Sequence, residues 1–229
     1  MGILIKKVSS QRPMVDAKVD EFSDTGAERS AADSELELTK SVETSERTKK
    51  IAVGAVLAAL SVAVAPSVGF IARMAGWGIA LFDHVSLFWM VSFVIGGPLV
   101  GAISLVAGAM ALFPFDPFAP FGPIFKLVAT FPMMAIPWFG VHRLRKEIGG
   151  EALSKRRFYA TLMVIAFLVR MALMIPINLV YASIFIPDWE VSYILTFVII
   201  LNSFQSFWDA TIPFIIVHST GVFKYFKMW

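Results

Sequence analysis

Long apolar segments fill the chain from Ile51 almost to its last residue, and short polar or proline-rich segments separate them. A helix needs about 20 apolar residues to cross a bilayer core about 30 Å thick. With 57% hydrophobic and 16% charged residues, the chain is also too apolar for a soluble domain. The sequence therefore predicts an all-α integral membrane protein.

The apolar segments divide into six predicted transmembrane helices. The second apolar region is too long for one crossing and is interrupted at Gly96-Gly97-Pro98, so we expect two short helices there, the second and third of the six. The proline-rich run 113–123 is expected to form a loop. The six predicted spans are 51–73, 84–96, 98–113, 122–141, 158–186 and 191–223.

Charge placement predicts the orientation of these spans. Basic residues cluster at 47–50, 143–157 and 224–227, whereas the loops assigned to the other side hold Arg73 as their only basic residue. Basic loops stay in the cytoplasm, so both termini are expected there, which requires an even number of crossings. Six spans satisfy this condition and five do not.

The segment before the first span has a different composition. Residues 1–46 are rich in Ser, Asp, Glu, Ala and Lys and show no sustained apolar periodicity. Such a segment buries too little apolar surface to offset its ordering entropy. We expect a disordered cytoplasmic tail at 1–46, with a transient helix near 31–45, and a six-helix membrane domain at 47–229.

Five polar residues interrupt the last two spans. Each costs about 2.5–3.5 kcal/mol on insertion scales, so it is expected to face protein or a wet cavity. Counting 1.5 Å per residue from the flanking basic residues puts Arg170 and Asp209 at one depth, and Asn178 and Asn202 at another. We therefore expect an Arg170–Asp209 ion pair below a polar cavity that Asn178, Asn202 and Gln205 build. The five are Arg170 and Asn178 on the fifth span, and Asn202, Gln205 and Asp209 on the sixth.

Two alternatives stay open for this cluster. The pair and the amides could be purely structural, and Lys126, at similar depth in the fourth span, is a rival partner for Asp209. Tyr181 lies on the same helical stripe as Asn178, and Asp83 is expected near the outer surface, where a lid could form. Both join the three amides in the predicted substrate-binding set.

Sequence motifs exclude several functions. The chain has no Cys, no phosphate-binding Gly-rich loop and no HExxH or GxSxG, so ATP hydrolysis, metal binding and common hydrolase chemistry have no support. The basic residues lie beside apolar spans, which argues against nucleic-acid binding. On the first span, Ala52, Ala55, Ala59 and Ala63 share one face, which could pack within the bundle or dock a partner helix.

The chain from about 47 to 226 resembles the substrate-binding S component of an energy-coupling factor transporter. The likeness lies in the basic residues before IAVGAVLAALSVAVAP, in IGGPLVGAISLVAG, and in the Asn-bearing fifth and sixth spans. It implies a plasma-membrane subunit, not itself an enzyme, that binds a vitamin from outside as ligand and needs no cofactor. A transmembrane coupling subunit, which would meet Ala55 and Ala59, and two ATPase subunits would be its partners.

Within that family the chain is most similar to the riboflavin-specific branch. The stretches FDHVSLFWMVSFVIGGPLVGA, MALMIPINLVYASIFIP and LNSFQSFWDA carry the similarity. The branch's Asn late in the fifth helix matches Asn178, and its Asn-x-x-Lys matches Asn202 and Gln205, with Gln in place of Lys. Ile200-Leu201 also replaces the branch's Pro-Phe. The rival interpretations are a structural membrane protein of the rod-shape determining type and a membrane enzyme.

Overall fold

A computed structural model of the chain describes residues 20–68, 82–144, 149–226 and 228–229, with the backbone alone at 20–33 and 67–68. These residues are almost entirely helical and include no strand. A 3-10 turn, Ala65–Val68, follows α1, and a π-helical turn, Ile215–Ser219, follows α6. The α-helices are α1 Asp20–Val64, α2 His84–Leu112, α3 Phe121–Leu144, α4 Gly149–Leu153, α5 Arg156–Phe185, α6 Val191–Phe214 and α7 Val222–Phe226.

Four of the described segments are long and apolar enough to cross a membrane: His84–Leu112, Phe121–Leu144, Arg156–Phe185 and Val191–Ser219. The expectation of an all-helical membrane protein is confirmed to that extent. The predicted first span, 51–73, is helical up to Val64, and its end lies outside the described residues.

The chain separates into two compact units, Met1–Glu46 and Arg47–Trp229. Residues 20–46 are helical, whereas the sequence predicts a disordered tail with a short helix near 31–45. Six Glu and three Ala lie among these 27 residues, and their high helix propensity favours the helix. Residues 1–19 of the predicted tail lie outside the described part of the chain.

Helix α2 is a hairpin of two short helices that meet at Gly97. This residue has φ 81° and ψ −167°, a conformation that is essentially restricted to glycine. A Cβ at Gly101 would lie 2.7 Å from Cβ of Phe93, and one at Gly108 would collide with the Trp89 indole. Residues 89 and 108 would be about 28 Å apart in a straight helix, so the two halves, 84–96 and 98–112, fold back on each other.

The hairpin forms the centre of the Arg47–Trp229 unit. Trp89, Met90 and Phe93 are fully buried within it, together with Met133 of α3. Helix α5 packs between α3 and α6, and α6 also packs on the hairpin. At the hairpin turn, the Trp229 ring lies 5.1 Å from the Phe93 ring, and the Gly150 N–H donates to the Trp229 carbonyl at 3.3 Å.

Candidate functional site

Arg170 of α5 is the centre of a buried polar cluster, with only 2% of the residue exposed. Its Nε donates to Asn202 Oδ1 at 2.9 Å, its Nη1 to Asp209 Oδ2 at 2.9 Å, and its Nη2 to Gln205 Oε1 at 2.8 Å. All three acceptors lie on one face of α6, because residues at i, i+3 and i+7 of a helix point the same way. The guanidinium is therefore held from three sides by one helix.

The predicted Arg170–Asp209 ion pair is present in the structure, but the predicted separation into two layers is wrong. Asn202 and Gln205 accept from the same guanidinium as Asp209, so they belong to its support and not to a separate layer above it. Depth counting along the backbone misses this arrangement because an arginine side chain is long and its five donors fan out from a fixed fork.

Asp209 connects this cluster to the start of α2. Its Oδ1 accepts from the Ser86 hydroxyl at 2.7 Å, and Ser86 Oγ lies 3.0 Å from the Asp83 carbonyl oxygen. The Asp83 carboxylate caps α2 by accepting from the Val85 N–H at 3.1 Å. An aspartate just before a helix is a recognisable N-cap signal, but nothing in the sequence indicated that Ser86 would reach Asp209.

Lys126 of α3 forms an ion pair with Asp83, at 3.1 Å, and not with Asp209 as the rival prediction has it. Asp83 is buried, with only 7% of the residue exposed, and its expected depth near the outer surface of the membrane stays a prediction. Burial is the largest influence and would raise the pKa of the Asp83 carboxyl, but the Lys126 ammonium, His84 and the Val85 N–H together lower this pKa below its ordinary value. Asp83 is therefore an ionised, paired carboxylate at the base of the hairpin.

Together these residues form a continuous chain of polar contacts, which we call the polar chain. It crosses from α3 through α2 to α6 and α5 and holds two cations and two anions, so its charges balance. Buried charges are normally paired in this way because unpaired ones cost several kcal/mol each. In order, the polar chain consists of Lys126, Asp83, Ser86, Asp209 and Arg170, and Asn202 and Gln205 accept hydrogen bonds from Arg170.

The other predicted binding residues of α5 lie apart from the polar chain. The Asn178 amide donates to the Met174 carbonyl of its own helix at 2.7 Å. The Tyr181 ring packs among three phenylalanines, with centroid distances of 4.8 to 5.2 Å, and we call these four rings the aromatic cluster. The cluster consists of Phe121, Phe125, Tyr181 and Phe185.

Two amide atoms of the predicted set have no recorded partner among the described residues. Gln205 Nε2 is one, since only its Oε1 is bonded, and Asn178 Oδ1 is the other. Both residues are partly buried. The bond from Arg170 to Oε1 also fixes which way the Gln205 amide points, so that Nε2 is directed away from the guanidinium. Gln205 thus offers an oriented donor and Asn178 an acceptor.

The predicted partner-docking face of α1 is uncovered in the structure. Ala52, Ala55, Ala59 and Ala63 are exposed. A different face of the helix is buried against α2 through Gly54, Ala58 and Ser61, and the Ser61 hydroxyl accepts from the Trp89 indole N–H at 3.0 Å. The alanine face is thus not packed against the described residues of the bundle, and its docking to a partner helix stays a prediction.

The described part of the chain contains no group of three or more His, Asp or Glu side chains that could hold a metal ion. Comparisons with protein-family models, with curated proteins and with solved structures find no match to this chain.

Proposed function

We propose that the protein is a membrane-embedded, high-affinity binding subunit for a vitamin-like small molecule, favouring a riboflavin-like ligand, of the type found in energy-coupling factor transporters. In this proposal a separate transmembrane coupling subunit and two ATPases supply the energy, and this chain makes or breaks no bond. The six spans would include the two halves of α2, with both termini in the cytoplasm.

Gln205 is the observation that carries the proposal. In the riboflavin-specific branch that the sequence resembles, a lysine occupies this position, and lysine can only donate hydrogen bonds. Glutamine can donate or accept, but here Arg170 occupies its acceptor oxygen, and Nε2 is left as the donor. The substitution therefore keeps a donor at this point of α6, and a ring system with polar edges suits such a donor.

The ligand proposal can be tested by native mass spectrometry and an absorbance spectrum on the gently purified full chain. We expect a bound small molecule, with a flavin spectrum if the ligand is riboflavin-like. Gln205→Glu keeps an acceptor for Arg170 but removes the donor, so ligand affinity should fall at least about tenfold. Thr196→Val, at an exposed position of α6, is the matched control and should bind normally.

The proposed topology can be tested by cysteine labelling, because the chain has no native Cys. Lys49→Cys, Arg157→Cys and Thr220→Cys should be labelled from the cytoplasmic side only. Ala119→Cys and Asp188→Cys should be labelled from outside only. In the six-span topology, four crossings separate Lys49 from Arg157: one by α1, two by the hairpin and one by α3. Both positions should then face the same side, so labelling of Lys49→Cys and Arg157→Cys from opposite sides would contradict six spans.

A structural membrane protein of the rod-shape determining type is the second candidate. It is favoured by the internal pairing of every charge in the polar chain, which needs no ligand to balance it. This candidate would be supported over the binding subunit if repeated purifications yield no bound small molecule. It would also require that Gln205→Glu leaves the stability of the protein unchanged.

A further inference from the structure

A groove of about 610 Å³ runs between α5 and α6, and no residue of the polar chain lines it. Its lining includes small residues of both helices, among them Ala160, Ser203 and Ala210. Val164 and Phe207 form its edges and are more than half exposed, so the groove is open along the outside of the bundle. Most of its lining is apolar, which suits a hydrocarbon chain.

The groove has one basic end and a length that matches a single bilayer leaflet. Arg156 lines this end and is exposed, and Arg157, the next residue along the chain, is exposed beside it. From Arg156 to Phe167, the groove follows α5 for about 16 Å at 1.5 Å per residue. Half of a hydrocarbon core about 30 Å thick is about 15 Å.

We propose that this groove binds an anionic phospholipid. The phosphate lies at Arg156, and one acyl chain fills the groove towards Phe167. Basic residues at the end of an interhelical groove attract anionic headgroups, and each contributes a modest preference. The proposal needs only the membrane setting of α5 and α6, and it stands independently of the vitamin-binding proposal.

The test supplies the delipidated full chain with phosphatidylglycerol or with phosphatidylcholine of the same acyl chains, and counts bound lipid by native mass spectrometry. The wild-type protein should retain one phosphatidylglycerol, at least about fivefold more tightly than phosphatidylcholine. Ala160→Trp fills the groove and should lose this lipid. Ala172→Trp, at an exposed position of α5 outside the groove, should retain it.

Arg156→Gln tests the headgroup contact at an exposed position, where the change leaves the fold intact. It should reduce the preference for phosphatidylglycerol about fivefold, because phosphatidylcholine, whose choline cation offsets its phosphate, should be weakened much less. Retention of phosphatidylglycerol by Ala160→Trp at the wild-type level would overturn the proposal. Equal binding of the two lipids by the wild-type protein would also overturn it. The same holds if the molecule that is lost on Ala160→Trp proves not to be a lipid.

Discussion

At the scale of single residues, the partners of Arg170 and Asp209 explain how the bundle tolerates this pair of opposite charges in its interior. Each branch of the guanidinium has its own acceptor on α6, and Asp209 has a second donor in Ser86. The pair is thereby compensated by hydrogen bonds on both sides, which is the condition under which a buried ion pair becomes tolerable.

Removing one member of this pair should destabilise the protein strongly. Arg170→Gln or Asp209→Asn leaves an uncompensated buried charge, which costs about 3–5 kcal/mol. The double variant removes both charges, so it should cost clearly less than the sum of the two single changes. Thermal unfolding followed by tryptophan fluorescence measures all three, with the exposed Glu190→Gln as a control that should change little. Additive effects would contradict the pairing.

Asp83 and Lys126 should make stability depend on pH in the acid range. Asp83→Asn keeps the N-cap bond to Val85 but removes the charge, and should cost about 2 kcal/mol at neutral pH. Because the pKa of Asp83 is lowered on folding, its stabilisation is complete above its ordinary pKa of 3.8. That stabilisation is lost as pH falls from this value through the lowered one.

Unfolding temperatures of wild type and Asp83→Asn, measured at a series of pH values, check this dependence. The difference between the two proteins should be constant from about pH 7 to about pH 5 and shrink at lower pH. A difference that grows as the solution is acidified would mean that Asp83 is not an ionised partner of Lys126.

The residues that form the polar chain were only partly predictable. Arg170, Asn202, Gln205 and Asp209 could be found from sequence because charged and amide groups are conspicuous in apolar spans and share a helical face. Ser86 could not, since serine is common in membrane helices and its partner lies 123 positions away along the chain. The Lys126–Asp83 pair was missed because it depends on how the hairpin is seated against α3.

At the scale of elements, the α2 hairpin shows what a short motif can specify. Gly96-Gly97-Pro98 predicts two short helices, and the structure has the break at Gly97. The same sequence does not reveal that the halves pack face to face, with Phe93 against Gly101 and Trp89 against Gly108. That packing depends on matching large and small side chains across the turn, which periodicity within each helix does not encode.

Gly97→Ala should lower the free energy of unfolding by about 1–3 kcal/mol through backbone strain at the hairpin turn alone. A further cost arises because the added Cβ would lie 2.5 Å from the Trp229 ring. Gly221→Ala is the matched control, since Gly221 also has a positive φ, 77°, but nothing lies within 4 Å of an added Cβ. Thermal unfolding should therefore show a clearly larger loss at Gly97, and equal losses would exclude a steric role for Trp229.

At the scale of the whole molecule, the Arg47–Trp229 unit leaves one helix face unused. The buried face of α1 anchors it to the hairpin, so the exposed alanine face is not needed to hold α1 in place. The sequence identified the alanine face but could not say whether it packs within the bundle or docks a partner, because small residues permit close approach to any neighbour. Burial in the folded unit shows which small residues hold α1 against the hairpin, and docking by the exposed face stays a prediction.

Tryptophan at the exposed face should block assembly with a coupling subunit, if the protein is the binding subunit we propose. Ala55→Trp and Ala59→Trp add a large side chain where a partner backbone must approach closely, yet both positions are exposed, so the fold should be retained. On coexpression with the coupling subunit and its ATPases, neither variant should copurify with them, while ligand retention in native mass spectrometry stays at the wild-type level. Ala172→Trp, exposed on α5, should assemble normally, because it changes an exposed position on another helix.

Normal copurification of Ala59→Trp would exclude this face of α1 as the docking surface. Loss of ligand together with assembly would instead indicate that α1 shapes the binding site.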